Sequence, residues 1–138
     1  MKKIPKTDKA LVLRTDFSDD NAWELICAAI QKPVGIFRAN VDFVSDPAFN
    51  GLTSEQLLSL VPQHSDNGFI FIVDREALTH PDHPVLVMDL FWEPGRTFRV
   101  IPSEMWGIEN NLPIGNMDFE EFADSTDPDG IFRGFPRG

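Results

Sequence analysis

Three carboxylates stand where they could do chemistry. Asp16 closely follows the apolar run ALVL (10–13), Asp74 follows FIFIV (69–73), and Asp89 lies late in VLVMDLF (85–91) with Glu93 just after it. Ligands of open α/β sheets bind outside the carboxyl ends of parallel strands. Carboxylates meeting there would supply the oxygen ligands that Mg²⁺ takes, with Asp19 and Asp20 close by. Asp16, Asp74 and Asp89 therefore read as a metal or phosphate site. They also have a plainer reading, because Asp at a strand-to-helix junction is a preferred helix cap. Strand direction decides between the two. Only about ten residues join Asp74 to Val85, whereas a parallel crossover usually takes a dozen or more. Antiparallel strands would put Asp74 and Asp89 at opposite ends and dissolve the site.

THPDHP (79–84) offers His80 and His83 with Asp82. Three-residue spacing around proline suits two ligands of one ion poorly, and no Cys or further His joins them nearby. His64 is far off in sequence, so a proline-rigidified turn is expected. Neither G-x-G-x-x-G nor G-x-x-x-x-G-K occurs, so no glycine loop cradles a phosphate. No Gly-x-Ser-x-Gly elbow gives either His a nucleophile to serve. The lone Cys27 excludes an internal disulfide and a Cys-based zinc cluster. It falls in a helical stretch and reads as a small buried hydrophobe.

The third candidate is Glu109–Asp124, ENNLPIGNMDFEEFAD. Asp118 and Glu121 have capping-box spacing, with Phe119 and Phe122 on the buried side. Asn suits helix ends and turns. What this leaves over is an acidic surface that continues to Asp129, bordered by Met105, Trp106 and Met117. Trp106, Glu109, Asn110, Asn111, Asn116, Asp118, Glu120, Glu121 and Asp124 form the expected binding surface, since aromatic and Met residues anchor many interfaces.

These candidates need elements to position them. The three apolar runs read as strands covered on both faces. FRANVDFV alternates, with Phe37, Ala39, Val41 and Phe43 on one side, and so does TFRVI, as strands with one wet face do. Residues 19–31 place Trp23, Ile26 and Ile30 on one helical stripe, with Ser18 or Asp16 as cap. TSEQLLSLVP begins with a capping box, Thr53 to Gln56. PSEMWGIENN gives a short helix capped by Ser103. Pro94-Gly95 in EPGR marks a type II turn, hence a hairpin. The expected fold is α/β, with α+β as a variant. It is a single-domain sandwich over residues 1–138, with a mixed sheet of about five strands in the order β-α-β-α-β-β-β-α-α.

Bulk properties narrow the function. The 138 residues are 42% apolar and 25% charged, which is ordinary for one globular domain. No run reaches the roughly 18 apolar residues that span a bilayer. The N-terminal lysines lack an apolar signal-like stretch, so a cytoplasmic protein is expected. A net charge of −10 opposes binding to nucleic acid or to an anionic membrane. It suits a basic protein partner. No Lys or Arg occurs between Arg99 and Arg133, while eight acids accumulate from Glu104 to Asp129. No cofactor is expected.

RTDFSDD is similar to the acidic entry of phospho-receiver domains, but the Lys expected on a late strand is missing. Over nearly its whole length the chain resembles a family of small uncharacterised bacterial domains. The likeness rests on RTDFSDD, HPDHPVLVMDL, EPGRTFRV and ENNLPIGNMDFEEFAD. It implies a family of unknown function with no catalytic residues to carry over. In size and charge alone the chain also looks like immunity proteins, which neutralise toxins. The sequence therefore supports a non-enzymatic binding module, with metal or phosphate chemistry at Asp16, Asp74 and Asp89 as the alternative.

Overall fold

The computed structural model describes residues 2–62 and 68–135. Among these residues six strands form one mixed sheet: β1 (Ala10–Arg14), β2 (Val41–Val44), β3 (Phe69–Val73), β4 (Val85–Asp89), β5 (Thr97–Val100) and β6 (Ile131–Phe132). Their order is β2-β1-β3-β4-β5-β6. β1 is parallel to β2 and β3, β4 is antiparallel to β3 and β5, and β6 is parallel to β5. The apolar strands β1, β3 and β4 are central and the alternating β2 and β5 lie outside them, as the two kinds of pattern require.

Among the described residues five α-helices accompany the sheet: α1 (Asp20–Gln31), α2 (Ser54–Leu58), α3 (Arg75–Thr79), α4 (Met105–Asn111) and α5 (Phe119–Ala123). The sheet is covered on both faces. One face carries Val12, Phe71, Val73 and Val87 against Trp23, Ile26 and Ile30 of α1, Ile108 of α4, and Phe119 and Phe122 of α5. The other carries Leu11, Leu13, Ile70, Ile72 and Met88 against Ile4, Phe49 and Leu57. Such two-sided burial is why β3 has no polar residue: each of its five side chains is buried.

Several local expectations are corrected. The cap of α1 is Asp19, whose carboxylate accepts the Ala22 N–H; Asp16 instead accepts from Ser18. Asp118 stands at the N-cap of α5 without a side-chain cap bond, so no capping box forms there. Ser103 does not cap α4, which grows out of a 3-10 turn at Pro102–Glu104. Phe37 is not in a strand, because the chain makes a tight hairpin bridging Val34 and Phe37 before β2 begins. The Thr53–Gln56 capping box does form, and so does the β4–β5 hairpin, where Arg96 donates to the Glu93 carbonyl and Gly95 takes φ +96°. α3 and β6 were not expected. α3 is a five-residue helix, and β6 is two residues of the tail that lie beside β5 and bury Phe132.

Candidate functional site

The sheet has two edges with opposite finishes. At the first lie the carboxyl ends of β1, β2, β3 and β5, and here the charged side chains are spent on one another. Arg14, 4% exposed, reaches the Asp16 carbonyl, Ser45 Oγ and Asp20, and its guanidinium lies 4.3 Å from the Phe17 ring centre. Arg99 grips Asp74 through both terminal nitrogens, at 2.9 and 2.7 Å, donates to the Pro84 carbonyl and pairs with Glu76. Such two-pronged pairing fixes geometry as well as charge. Arg133 holds Asp82, Asp127 and Asp129 together. Its hydrogen bond holds Asp129 below the usual carboxylate range. The Ser18 hydroxyl and amide do the same for Asp16.

β3 and β4 are antiparallel, with Asp89 opposite Phe69, the first residue of β3, while Asp74 follows the last. The two carboxylates are therefore separated by the length of the strand, on the order of 16 Å. Asp16, Asp74 and Asp89 do not converge, which corrects the metal or phosphate alternative. Among the described residues no group of three His, Cys, Asp or Glu is placed to hold a metal ion. Each of the three acids has local work. Asp74 caps α3, accepting from Ala77, and Asp16 closes the turn at Ser18. Asp89, fully buried, accepts the backbone N–H groups of Phe91, Trp92 and Glu93.

The THPDHP segment is a turn. His80 Nδ1 accepts the Asp82 amide, the His83 N–H returns to the His80 carbonyl, and His83 adopts φ +48° with its Nδ1 2.9 Å from the Ala77 carbonyl. His64 lies outside the described residues. Cys27 is half-buried, and burial pushes its thiol up to about 11, so it is not a ready nucleophile.

At the second edge lie the amino ends of β1 and β3 and the exit of β4. A cleft of about 790 Å³ opens here between Gly68, Phe91, Trp92, Leu112 and Pro113, with Lys6 and Asp8 as its charged lining. Phe91 is 71% and Trp92 40% exposed, and Ile114 beside the cleft is 76% exposed. The two aromatic rings meet edge to face at 5.2 Å. Asp89 is the residue that sets them there, since its three accepted N–H groups fold the chain directly after β4. Trp92 also borders a smaller cleft with Glu93, Arg96, Asp118 and Glu120, where Arg96 pairs with Glu93 and the two further acids leave an excess of negative charge.

The expected binding residues divide along α4 and α5. Trp106 stacks on Phe37 at 4.5 Å, Glu109 accepts the Asn40 N–H, and the Asn110 amide donates to the Trp106 and Arg38 carbonyls. Trp106 braces the Val34–Phe37 hairpin itself, and Glu109 and Asn110 hold the chain at Arg38 and Asn40 that leads from it to β2. Asn111 and Asn116 bond each other and shape the turn after α4. Asp124 is paired with Arg96. Asp118, Glu120 and Glu121 are exposed, Asp118 and Glu120 beside Trp92. Phe91 and Trp92 were missed from sequence, because FW reads as the end of an apolar strand. The adjacent Glu93-Pro94-Gly95 turn was the available signal that they leave the sheet.

The fold and this edge define an α/β mixed-sheet protein with an aromatic cleft on one rim. The chain belongs to a family described as a domain of unknown function, DUF6924, which matches residues 9–135. No curated protein matches the chain.

Proposed function

We propose that the chain is a non-enzymatic, cytoplasmic protein-binding module that captures a basic segment of a partner at the aromatic cleft. The observation that carries this is the exposure of Phe91 and Trp92 on one concavity, with Ile114 exposed next to its Pro113–Gly115 wall. Clustered large apolar groups beside a polar rim are characteristic of interaction surfaces. Trp is the residue most often found to dominate binding energy. The rim sets the partner's charge: Arg96 pairs with Glu93, Lys6 is offset by Asp8, and Asp118 and Glu120 remain beside Trp92, while the net charge of −10 steers a cation towards them. An apolar side chain flanked by Lys or Arg meets both requirements. An immunity-type inhibitor, which covers a basic toxin, would act in this way.

The reading is tested by selecting a randomised peptide library on the immobilised protein. Enriched peptides should carry an apolar residue next to Lys or Arg. They should bind at least tenfold more weakly to Trp92→Ala and to Asp118→Lys/Glu120→Lys. No enrichment, or peptides that bind these variants as well as wild type, would defeat the proposal.

A further inference from the structure

The hairpin between α1 and β2 is a second exposed apolar feature. Val34 is 38%, Ile36 94% and Phe37 45% exposed. Gly35 at its tip takes φ +62°, a left-handed conformation that glycine adopts without a steric penalty. Lys32 and Arg38 flank it, both exposed. It is not a loose loop. The Val34 and Phe37 amides donate to each other's carbonyls at 2.8 and 3.0 Å, and Phe37 is stacked on Trp106. A side chain held out rigidly loses little freedom on binding, so Ile36 is built as a knob.

We infer that the occupant of the aromatic cleft is the Val34–Phe37 hairpin of a second copy of this chain. The inference rests on the cleft reading above and names its partner. The two surfaces are complementary. The hairpin is an apolar tip between two cations, and the cleft, whose own Lys6 and Asp8 offset each other, is an apolar floor beside Asp118 and Glu120. They are also connected: α4 braces the hairpin through Trp106, holds Arg38 and Asn40 just after it through Asn110 and Glu109, and runs on into Leu112 and Pro113 of the cleft wall. The hairpin leads into the amino end of β2, next to the cleft at the amino ends of β1 and β3. A two-fold axis between them lets each copy insert its knob into the other's cleft. Such an isologous contact closes on itself and leaves no open end to polymerise.

Sedimentation velocity from micromolar to millimolar protein tests this with two variants, Ile36→Asp and Trp92→Ala. Wild type should pass from monomer to dimer, and each variant alone should stay monomeric. An equimolar mixture should regain a dimer, because the intact hairpin of the Trp92→Ala chain enters the intact cleft of the Ile36→Asp chain. A contact of Ile36 against Ile36 would give no such rescue. Ile36→Ser and Phe91→Ala serve instead if either first variant fails to keep the wild-type melt. A wild type that stays monomeric, a dimer indifferent to both substitutions, or a mixture without rescue overturns the inference. A monomeric wild type that still loses its selected peptides on Trp92→Ala sinks only the self-association and leaves the cleft reading standing. A dimer that behaves as expected, with no peptide enriched, sinks only the peptide reading.

Discussion

At the carboxyl edge Arg99 holds Asp74 with two nitrogens and Arg133 gathers three aspartates, whereas at the amino edge Ile36, Phe91 and Ile114 stand in water. The first edge has answered its own charges. The second has left its apolar groups without cover. Of the eight exposed large hydrophobic residues among those described, Val34, Ile36 and Phe37 precede β2, Phe91 and Trp92 leave β4, and Ile114 sits by the cleft. Only Leu25 and Phe135 belong elsewhere. This inverts the usual expectation for open α/β sheets, whose ligands gather at carboxyl ends. An edge whose ions pair internally gains little from a ligand, while one with uncovered aromatics gains from burial at roughly 25 cal/mol per Å².

The largest effect should come from Asp89, the buried residue that builds the amino edge. Asp89→Ala leaves three N–H groups without their acceptor, and should lower stability by about 3 kcal/mol. For a domain of this size that is a fall in Tm on the order of 10 °C, read by calorimetry. Asp89→Asn, which keeps one acceptor oxygen, should fall between. If Asp89→Ala melts like wild type, the amino edge is not organised by this carboxylate. At the other edge, Arg99→Ala strands Asp74 and should cost about 1–2 kcal/mol, less than a fully buried pair because Asp74 and Glu76 are part exposed. It should leave binding of the selected peptides unchanged. A tenfold loss of binding in this variant would break the contrast between the edges.

Trp92→Ala should do the reverse. The side chain is part exposed, so Tm should move within the scatter of surface substitutions, about 0.5 kcal/mol, while binding falls. The smallest effect should be at Asp16. Its folded-state pKa is depressed by Ser18, so its stabilisation is present above the ordinary carboxylate value of 3.8. That stabilisation is lost as pH falls through the lower, folded value. Asp16→Asn should therefore lower Tm slightly at pH 7 and make no difference at strongly acid pH. A difference that persists at acid pH would mean that the Asp16 charge is not the stabilising feature.

Where one physical pressure acted alone, the sequence was readable. The apolar runs of β1, β3 and β4 foretold a sheet buried on both faces, Trp23, Ile26 and Ile30 foretold the buried stripe of α1, and Pro94-Gly95 foretold the hairpin. Where two pressures share a residue type, it was not. An aspartate that caps a helix, closes a turn or binds a metal is the same letter, and only the antiparallel pairing of β3 with β4 separated Asp74 from Asp89. α3 is too short to show a helical period, and β6 is a strand because β5 offers it an open flank, which no local pattern encodes. The aromatic cleft was hidden for a related reason. Phe91 and Trp92 look like core, and whether they point inward depends on the three N–H groups that Asp89 collects after the strand ends.

The most direct test of the contrast is one titration, the tightest selected peptide against wild type, Trp92→Ala and Asp16→Asn under the same buffer and salt. The predicted result is a loss of tenfold or more for Trp92→Ala and none for Asp16→Asn. Unchanged affinity in Trp92→Ala with a loss in Asp16→Asn would move the ligand to the carboxyl edge and contradict the account.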